Sequence, residues 1–170
     1  HRLAVNYAVN PETGLVEVFD HPETTTYAEP KAFSSGGGGL VSTVDDYLRF
    51  ASMIAGQGEL DGVRVLSRKS VELMTTNALT EEERAPAPFG ARFFARGRGF
   101  GLGVQVTEDV GLTAGLGSPG TNGWGGAAGT WYWVDPQEDL VGVMMIQRMG
   151  GGRAVPIRSD FETLVYQALD

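Results

Sequence analysis

Apolar positions recur along this chain with two periods, and the changes between them mark the elements. Between residues 42 and 56, Val44, Tyr47, Leu48, Ala51, Ile54 and Ala55 recur at helical spacing and form one stripe. Ser42 or Thr43 can cap this helix, with Asp45 and Asp46 at the matching third positions, and Gly56 and Gly58 end it. Ser67 opens a shorter helix that ends near Thr76, with Leu66 and Val71 spaced as a hydrophobic staple. Pro156 suits the first turn of a last helix over 157–168, whose stripe is Ile157, Phe161, Leu164, Val165 and Ala168.

Strand signals fill most of the remainder. Residues 3–9 and 15–19 flank the turn sequence Asn10-Pro11-Glu12-Thr13-Gly14 and predict a β-hairpin. Asp61-Gly62, between Leu60 and Val63, predicts a second, smaller one. Phe100, Leu102, Val104 and Val106 alternate with polar or glycine positions and predict a single strand. Two more strands, 127–134 and 140–147, flank the turn at 135–139. The second is almost wholly apolar from Leu140 to Ile146, the pattern of a central strand covered on both faces. Residues 20–38, 77–98 and 109–123 lack a period and read as loops, with Glu81-Glu82-Glu83 a solvated turn. Successive strands joined by tight turns are antiparallel, so the expected fold class is α+β: an antiparallel sheet with flanking helices.

Composition narrows the function classes. The chain has 170 residues, enough for one domain with a real core, and 42% of them are hydrophobic, so disorder is not the default. Its net charge of −8 disfavours nonspecific binding to nucleic acid or anionic membranes. Cysteine is absent, which excludes disulfides, thiolate metal sites and a cysteine nucleophile. No run approaches the roughly 18 apolar residues of a membrane span. Glycine is the unusual component: its 25 residues gather at 36–39, 97–103, 115–126 and 150–152, where they fit turns, bulges and close backbone approaches.

Most catalytic patterns are missing. The two histidines are His1 and His21, one terminal and one beside a proline in a loop, and both read as solvated. Gly117-Ser118-Pro119-Gly120 lacks the spacing of a nucleophile elbow. Asp135, Glu138 and Asp139 cluster as a turn does, without a metal-binding pattern. Gly36 to Gly39 opens a helix, but no Lys-Ser/Thr follows as in a phosphate loop. Arg92 to Phe100 interleaves cations with aromatics; in so acidic a chain it reads as an aromatic-anchored loop rather than a stacking platform for nucleic acid. Arg148 and Arg153 follow the last strand and read as surface cations, with an anion site as the alternative. Gly123-Trp124-Gly125-Gly126-Ala127-Ala128-Gly129-Thr130 can leave a backbone amide pointing into open space, as an oxyanion hole needs. A bulge at a sheet edge explains the same glycines and is favoured on spacing alone.

Four stretches together resemble the C-terminal half of the serine β-lactamase-related proteins, which include class C β-lactamases, D-alanyl-D-alanine peptidases and penicillin-binding-protein-like esterases. They are Ser35 to Phe50 (SGGGGLVSTVDDYLRF), Gly58 to Ser67 (GELDGVRVLS), Gly123 to Ala127 with Trp131 to Pro136, and the apolar strand followed by the last helix. The likeness runs over roughly residues 15–169, and the first stretch is the most specific. It implies the C-terminal portion of a β-lactamase/transpeptidase-like fold as a single partial domain over 1–170. It also implies a serine hydrolase that works through an acyl-enzyme on ester, amide or β-lactam substrates, without cofactor or metal. In the family a third motif, usually Lys-Thr-Gly or His-Thr-Gly, lines the pocket, and Trp124-Gly125-Gly126 falls at its place, as in esterase-type members. By this likeness Ala127 lends its backbone N–H to the oxyanion hole, Trp124, Gly125 and Gly126 face the substrate, and Gly38 stands where class C relatives carry a pocket tyrosine.

The departures from the family are as informative. The only lysines are Lys31 and Lys69, preceded three residues earlier by Ala28 and Leu66, so there is no Ser-x-x-Lys. Nor is any tyrosine followed two residues later by asparagine. Nucleophile and base are therefore expected outside these residues, and the chain alone is expected to be inactive. Trp124 replaces a cation that would attract a substrate carboxylate, which shifts the expected substrate toward neutral acyl esters and leaves slow β-lactam hydrolysis open. The expected partners are a small ester or β-lactam-like substrate and the missing N-terminal half or a second copy of the chain, with no nucleic acid. Two alternatives stand beside this one: a non-catalytic half-fold that binds or oligomerises through its sheet edges, and a D-amino-acid peptidase or acyltransferase of the same family.

Overall fold

The computed structural model describes residues 2–30, 33–84, 96–113, 115–150 and 156–169. Strands β1 (Asn6–Val9) and β2 (Val16–Asp20) form the first expected hairpin, pairing antiparallel. Asn10 shapes its turn, with Oδ1 accepting from the amides of Glu12 at 2.9 Å and Thr13 at 3.2 Å. A 3₁₀ turn over Thr26–Ala28 interrupts the loop that follows.

Helix α1 (Val44–Ala55) begins at Thr43, whose Oγ1 accepts from the Asp46 amide and donates to the Asp46 carboxylate. It buries Ala51, Met53 and Ile54, while Val44 and Leu48 of the expected stripe stay exposed. Strands β3 (Glu59–Leu60) and β4 (Val63–Arg64) close over Asp61 at φ 51° and Gly62 at φ 77°, the left-handed pair a two-residue hairpin turn requires. Helix α2 (Arg68–Met74) is capped by the Ser67 hydroxyl, which accepts from the Ser70 amide at 3.0 Å. The triple glutamate forms one helical turn, α3 (Glu81–Arg84), rather than an irregular one. Thr80 Oγ1 accepts from the Glu83 amide and Glu83 Oε2 accepts from the Thr80 amide, so the two residues make a capping box.

Five strands then form one antiparallel sheet in chain order: β5 (Arg98–Phe100), β6 (Gln105–Thr107), β7 (Asn122–Gly125), β8 (Thr130–Asp135) and β9 (Leu140–Met145). A one-turn helix, α4 (Val110–Thr113), lies between β6 and β7 in the glycine-rich segment expected to be loop. The segment 100–106 is not one strand. It reverses direction between β5 and β6, with the Gly101 amide donating to the Val104 carbonyl at 2.8 Å and Gly103 at φ 85°. A period of two would put Leu102 and Val104 on one face, but the turn leaves Leu102 exposed and Val104 buried. Arg92 to Ala95 lie outside the described residues.

β9 is not central either. Among the described residues it ends the five-stranded sheet, paired only with β8. Its apolar run reports cover on its two faces, and cover does not require a strand on both sides. Beyond β9 the chain continues into β10 (Arg148–Met149), which pairs parallel with β1.

Alternation along β8 sorts the molecule into layers. Tyr132 and Val134 face α1, joining Ala51, Met53, Ile54, Val71, Val104 and Val106 in the main core. Trp131, Trp133 and Asp135 face the other way, toward α5 (Ile157–Tyr166). There Phe161 meets Trp133 edge-on at 5.8 Å, and the Arg158 guanidinium lies over the Trp131 ring. Pro156 precedes α5 as its N-cap and makes no side-chain capping bond.

Candidate active site

Trp124 and Gly125 form the end of β7, and Gly126 and Ala127 begin the turn into β8. The register pairs Trp124 with Tyr132, so both side chains stand on the α1 face. Trp124 is half-buried there. Its ring meets Phe100 edge-on at 5.0 Å and packs against the main core.

The two glycines that follow are fixed by the chain's own side chains. A Cβ at Gly125 would stand 2.7 Å from Trp131 Cε3, and one at Gly126 would overlap Thr130 Oγ1. The turn is closed by Gly126 N–H to Thr130 O at 2.9 Å and Gly129 N–H to Gly126 O at 3.0 Å, and Ala128 O accepts from the Arg148 amide at 2.7 Å. Ala127 sits exposed in the middle of this frame. Its own N–H donates to no acceptor among the described residues. A backbone N–H without an acceptor in a hydrogen-bonded turn can serve as an oxyanion donor, and the Ala128 N–H likewise donates to no acceptor among the described residues. Gly38 lies in the exposed loop before α1, with no atom beyond its chain neighbours within 4 Å of where its Cβ would be. Thus four of the five predicted site residues are contiguous at one strand end, and the fifth joins them through no described contact.

An aromatic cluster behind Trp124 went unread in the sequence. Tyr47 and Phe50 of α1 both meet Tyr132, at 5.2 and 5.8 Å, and each other at 5.5 Å. Their three-residue spacing along α1 was the available signal. Burial, and secondarily Tyr47, raise the Tyr132 pKa far above the ordinary value, and burial raises that of Tyr47. Both phenols stay neutral near pH 7, so neither is a ready base.

Other candidates for chemistry are occupied. Lys69 pairs with Glu72 at 2.5 Å on the exposed side of α2, and the His21 imidazole accepts from the Glu23 amide in a surface loop. His1, Lys31 and Arg153 lie outside the described residues. Asp135, read from the sequence as a turn residue, is instead wholly buried. It accepts from the Ser118 amide at 2.8 Å, the Tyr166 hydroxyl at 2.9 Å, the Thr121 hydroxyl at 3.0 Å and the Gln137 amide at 3.1 Å. Burial alone would raise its pKa, but these hydrogen bonds outweigh it and hold the carboxyl below the usual range. Among the described residues, no helix is long and apolar enough to cross a membrane.

A family model described as beta-lactamase matches residues 2–167. The chain is 44% identical to protein Rv1367c of Mycobacterium tuberculosis over 150 residues, which is 86% of this chain and 36% of that protein. It therefore spans about a third of the length of this curated relative. Among solved structures it is similar to EstCE1, described as a hydrolase with promiscuous acyltransferase activity, at a TM-score of 0.76 and 24% identity over 96% of this chain and 43% of that one. It is also similar to a LovD6 mutant of the simvastatin synthase from Aspergillus terreus, at a TM-score of 0.76 and 19% identity over 99% of this chain and 42% of that one. At these identities the two structures establish the fold, an α+β arrangement of the beta-lactamase kind.

Proposed function

This chain belongs to the beta-lactamase family, and on that premise we propose that it forms the pocket wall of a serine hydrolase. The nucleophilic serine and its lysine come from residues outside these 170. The serine oxygen attacks an ester carbonyl, the alcohol leaves with a proton, and water then releases the acid and restores the serine. The Ala127 N–H donates to the oxyanion as it forms, Trp124 with Gly125 and Gly126 lines the acyl site, and Gly38 widens it. The observation that supports this reading is the Ala127 N–H, which donates to no acceptor among the described residues and sits in a hydrogen-bonded turn close after Trp124. An indole in place of a cation favours neutral acyl esters over substrates that carry a carboxylate.

Acyl transfer to an alcohol other than water is a second reading. It draws on the descriptions of the two structural neighbours, one a hydrolase with acyltransferase activity and one a synthase. It uses the same acyl-enzyme and differs only in the acceptor.

The test uses the whole reading frame that contains these residues. A fluorophosphonate probe should label one serine outside this chain, and a p-nitrophenyl acyl ester should be turned over. Partition of the acyl group between water and an added alcohol separates hydrolase from transferase. Absence of both label and turnover would overturn the proposal and favour a non-catalytic binding or oligomerisation module. A labelled serine within the 170 residues would equally overturn it.

A further inference from the structure

On the side of the sheet away from Trp124 lies a cavity of about 50 Å³, between β5–β8 and α5. It is lined by Arg98, Trp131, Trp133, Arg158 and Glu162, among others. A single water needs roughly 10–15 Å³ of such space, so several waters or one small oxyanion fit.

The groups facing this space are mainly donors. The indole Nε1 of Trp131 is buried and has no hydrogen-bond partner, although its residue is only 8% exposed, whereas that of Trp133 lies beside the Tyr166 hydroxyl, which can accept from it. A buried N–H without an acceptor is uncommon and costly, so it points to something that completes it. Arg158 is stacked on Trp131 and gives its Nε to Glu162 at 3.1 Å, which leaves its terminal nitrogens for other partners. Arg98 gives one nitrogen to Gln105 Oε1 at 2.6 Å. The hydroxyls of Thr121 and Tyr166, also on the wall, donate to Asp135. Asn122 borders the cavity too, but its register partner is Val134, so its side chain belongs to the other face.

Charge points the same way. Two guanidinium groups face one carboxylate, and that carboxylate is engaged by Arg158. Burial lowers the Arg158 pKa most; Glu162 counters this, and Arg98 pushes it down further. An anion between the two arginines would relieve their repulsion and accept from the orphaned Trp131 indole.

We propose that this cavity is a binding site for a small oxyanion of the carboxylate or phosphate class, held by Arg98, Arg158 and the indole N–H of Trp131, with Trp133 on its wall. The ligand lies across the sheet from Trp124, so the site is independent of the acyl pocket proposed above. A free anion and a carboxylate side chain supplied by residues outside this chain share this chemistry.

The three tryptophans make the test direct. In ¹⁵N-labelled protein, titration with sodium formate, and separately with sodium phosphate, should shift the indole signals of Trp131 and Trp133 and saturate. Trp124, on the other face, should not move, and sodium chloride at equal ionic strength should reproduce neither shift. Arg98→Met should weaken the binding about tenfold or more, as expected when a charge-assisted hydrogen bond is lost. Trp131→Phe keeps an aromatic side chain, loses the donor, and should weaken it as well, which covers failure of the arginine variant to fold. Arg64→Met, at an exposed ion pair, should leave the affinity unchanged. Binding by these 170 residues that disappears in the longer protein would identify a side-chain carboxylate as the natural occupant. Shifts that do not saturate, that move all three indoles alike, or that persist in Arg98→Met mean an adventitious ion only and overturn the proposal.

Discussion

Asp135 offers the sharpest test of how this fold is held together. Asp135→Ala removes a buried acceptor that joins four parts of the chain: β8 itself, the 118–121 loop, the 135–139 turn and α5. Each hydrogen bond to a charged acceptor contributes about 1.5–3 kcal/mol, but such terms do not add. The Tyr166 and Thr121 hydroxyls can rotate toward other partners, whereas the Ser118 and Gln137 amides are fixed by the backbone. A net loss of about 3–5 kcal/mol is therefore expected, the range for deleting one partner of a buried charged network. Against a typical total of about 5–15 kcal/mol, this takes a large share of the stability. Equilibrium urea unfolding measures it as a lower midpoint at unchanged slope. Asp135→Asn keeps one acceptor oxygen and should lose about 1–3 kcal/mol, and Tyr166→Phe about 1 kcal/mol. The pH dependence has a definite sign. The folded carboxyl titrates below its ordinary value, so its contribution is complete above the unfolded pKa, near 4, and is lost as pH falls through the folded value. Asp135→Asn should therefore show a shallower loss of stability below about pH 4 than the parent. An Asp135→Ala midpoint within about 0.5 kcal/mol of the parent would refute the reasoning.

Thr43→Ala should cost about 1 kcal/mol, read by urea unfolding, because the Asp46 amide loses its cap. Gly142→Ala should cost about 1–3 kcal/mol, since its methyl would overlap the Trp133 indole; an accompanying change in near-ultraviolet circular dichroism would report the displaced ring. In the longer protein, if it is the proposed hydrolase, Ala127→Pro removes the proposed oxyanion donor and should lower kcat by about 10²–10³ with KM little changed, whereas Ala127→Gly keeps the N–H and should stay near the parent rate. Equal effects of the two substitutions would assign the loss to the turn rather than to the donor.

Local chemistry made much of this legible in advance. Thr43, Ser67 and Asp61-Gly62 announce a cap, a cap and a turn through interactions within a few residues, and each forms as expected. The 127–134 and 140–147 strands are likewise signalled by a turn between two apolar runs and form as Thr130–Asp135 and Leu140–Met145, with residues 127–129 in the preceding turn instead. What failed depended on distance in the chain. Whether β9 has a strand on both sides is decided by segments far from it, and its own residues record only the helix and indoles above and below. The hairpin at 98–107 escaped because Leu102 imitates an inward strand position while standing 53% exposed at a turn. Asp135 carried a faint mark, one polar residue closing the apolar run Trp131–Val134, but its partners lie up to 31 residues away. At the candidate site, the glycines before Ala127 were legible as close approaches. That Trp131 and Thr130 are what approaches them required the register of β7 on β8.

The parallel pairing of β1 with β10 has a kinetic consequence. It joins Tyr7 to Arg148 across 141 residues, whereas β8 and β9 are linked by a turn of four. The entropy of closing a loop rises with the logarithm of its length, about 0.6 kcal/mol for each doubling, and the short turn meets that cost first. The five-stranded sheet with α1 is thus suited to nucleate, and the β1–β2 hairpin to dock afterwards onto a formed edge. Amide hydrogens of β1 should accordingly exchange through a smaller, earlier opening than those of β8, which places the least durable seam of the molecule where its two most distant strands meet.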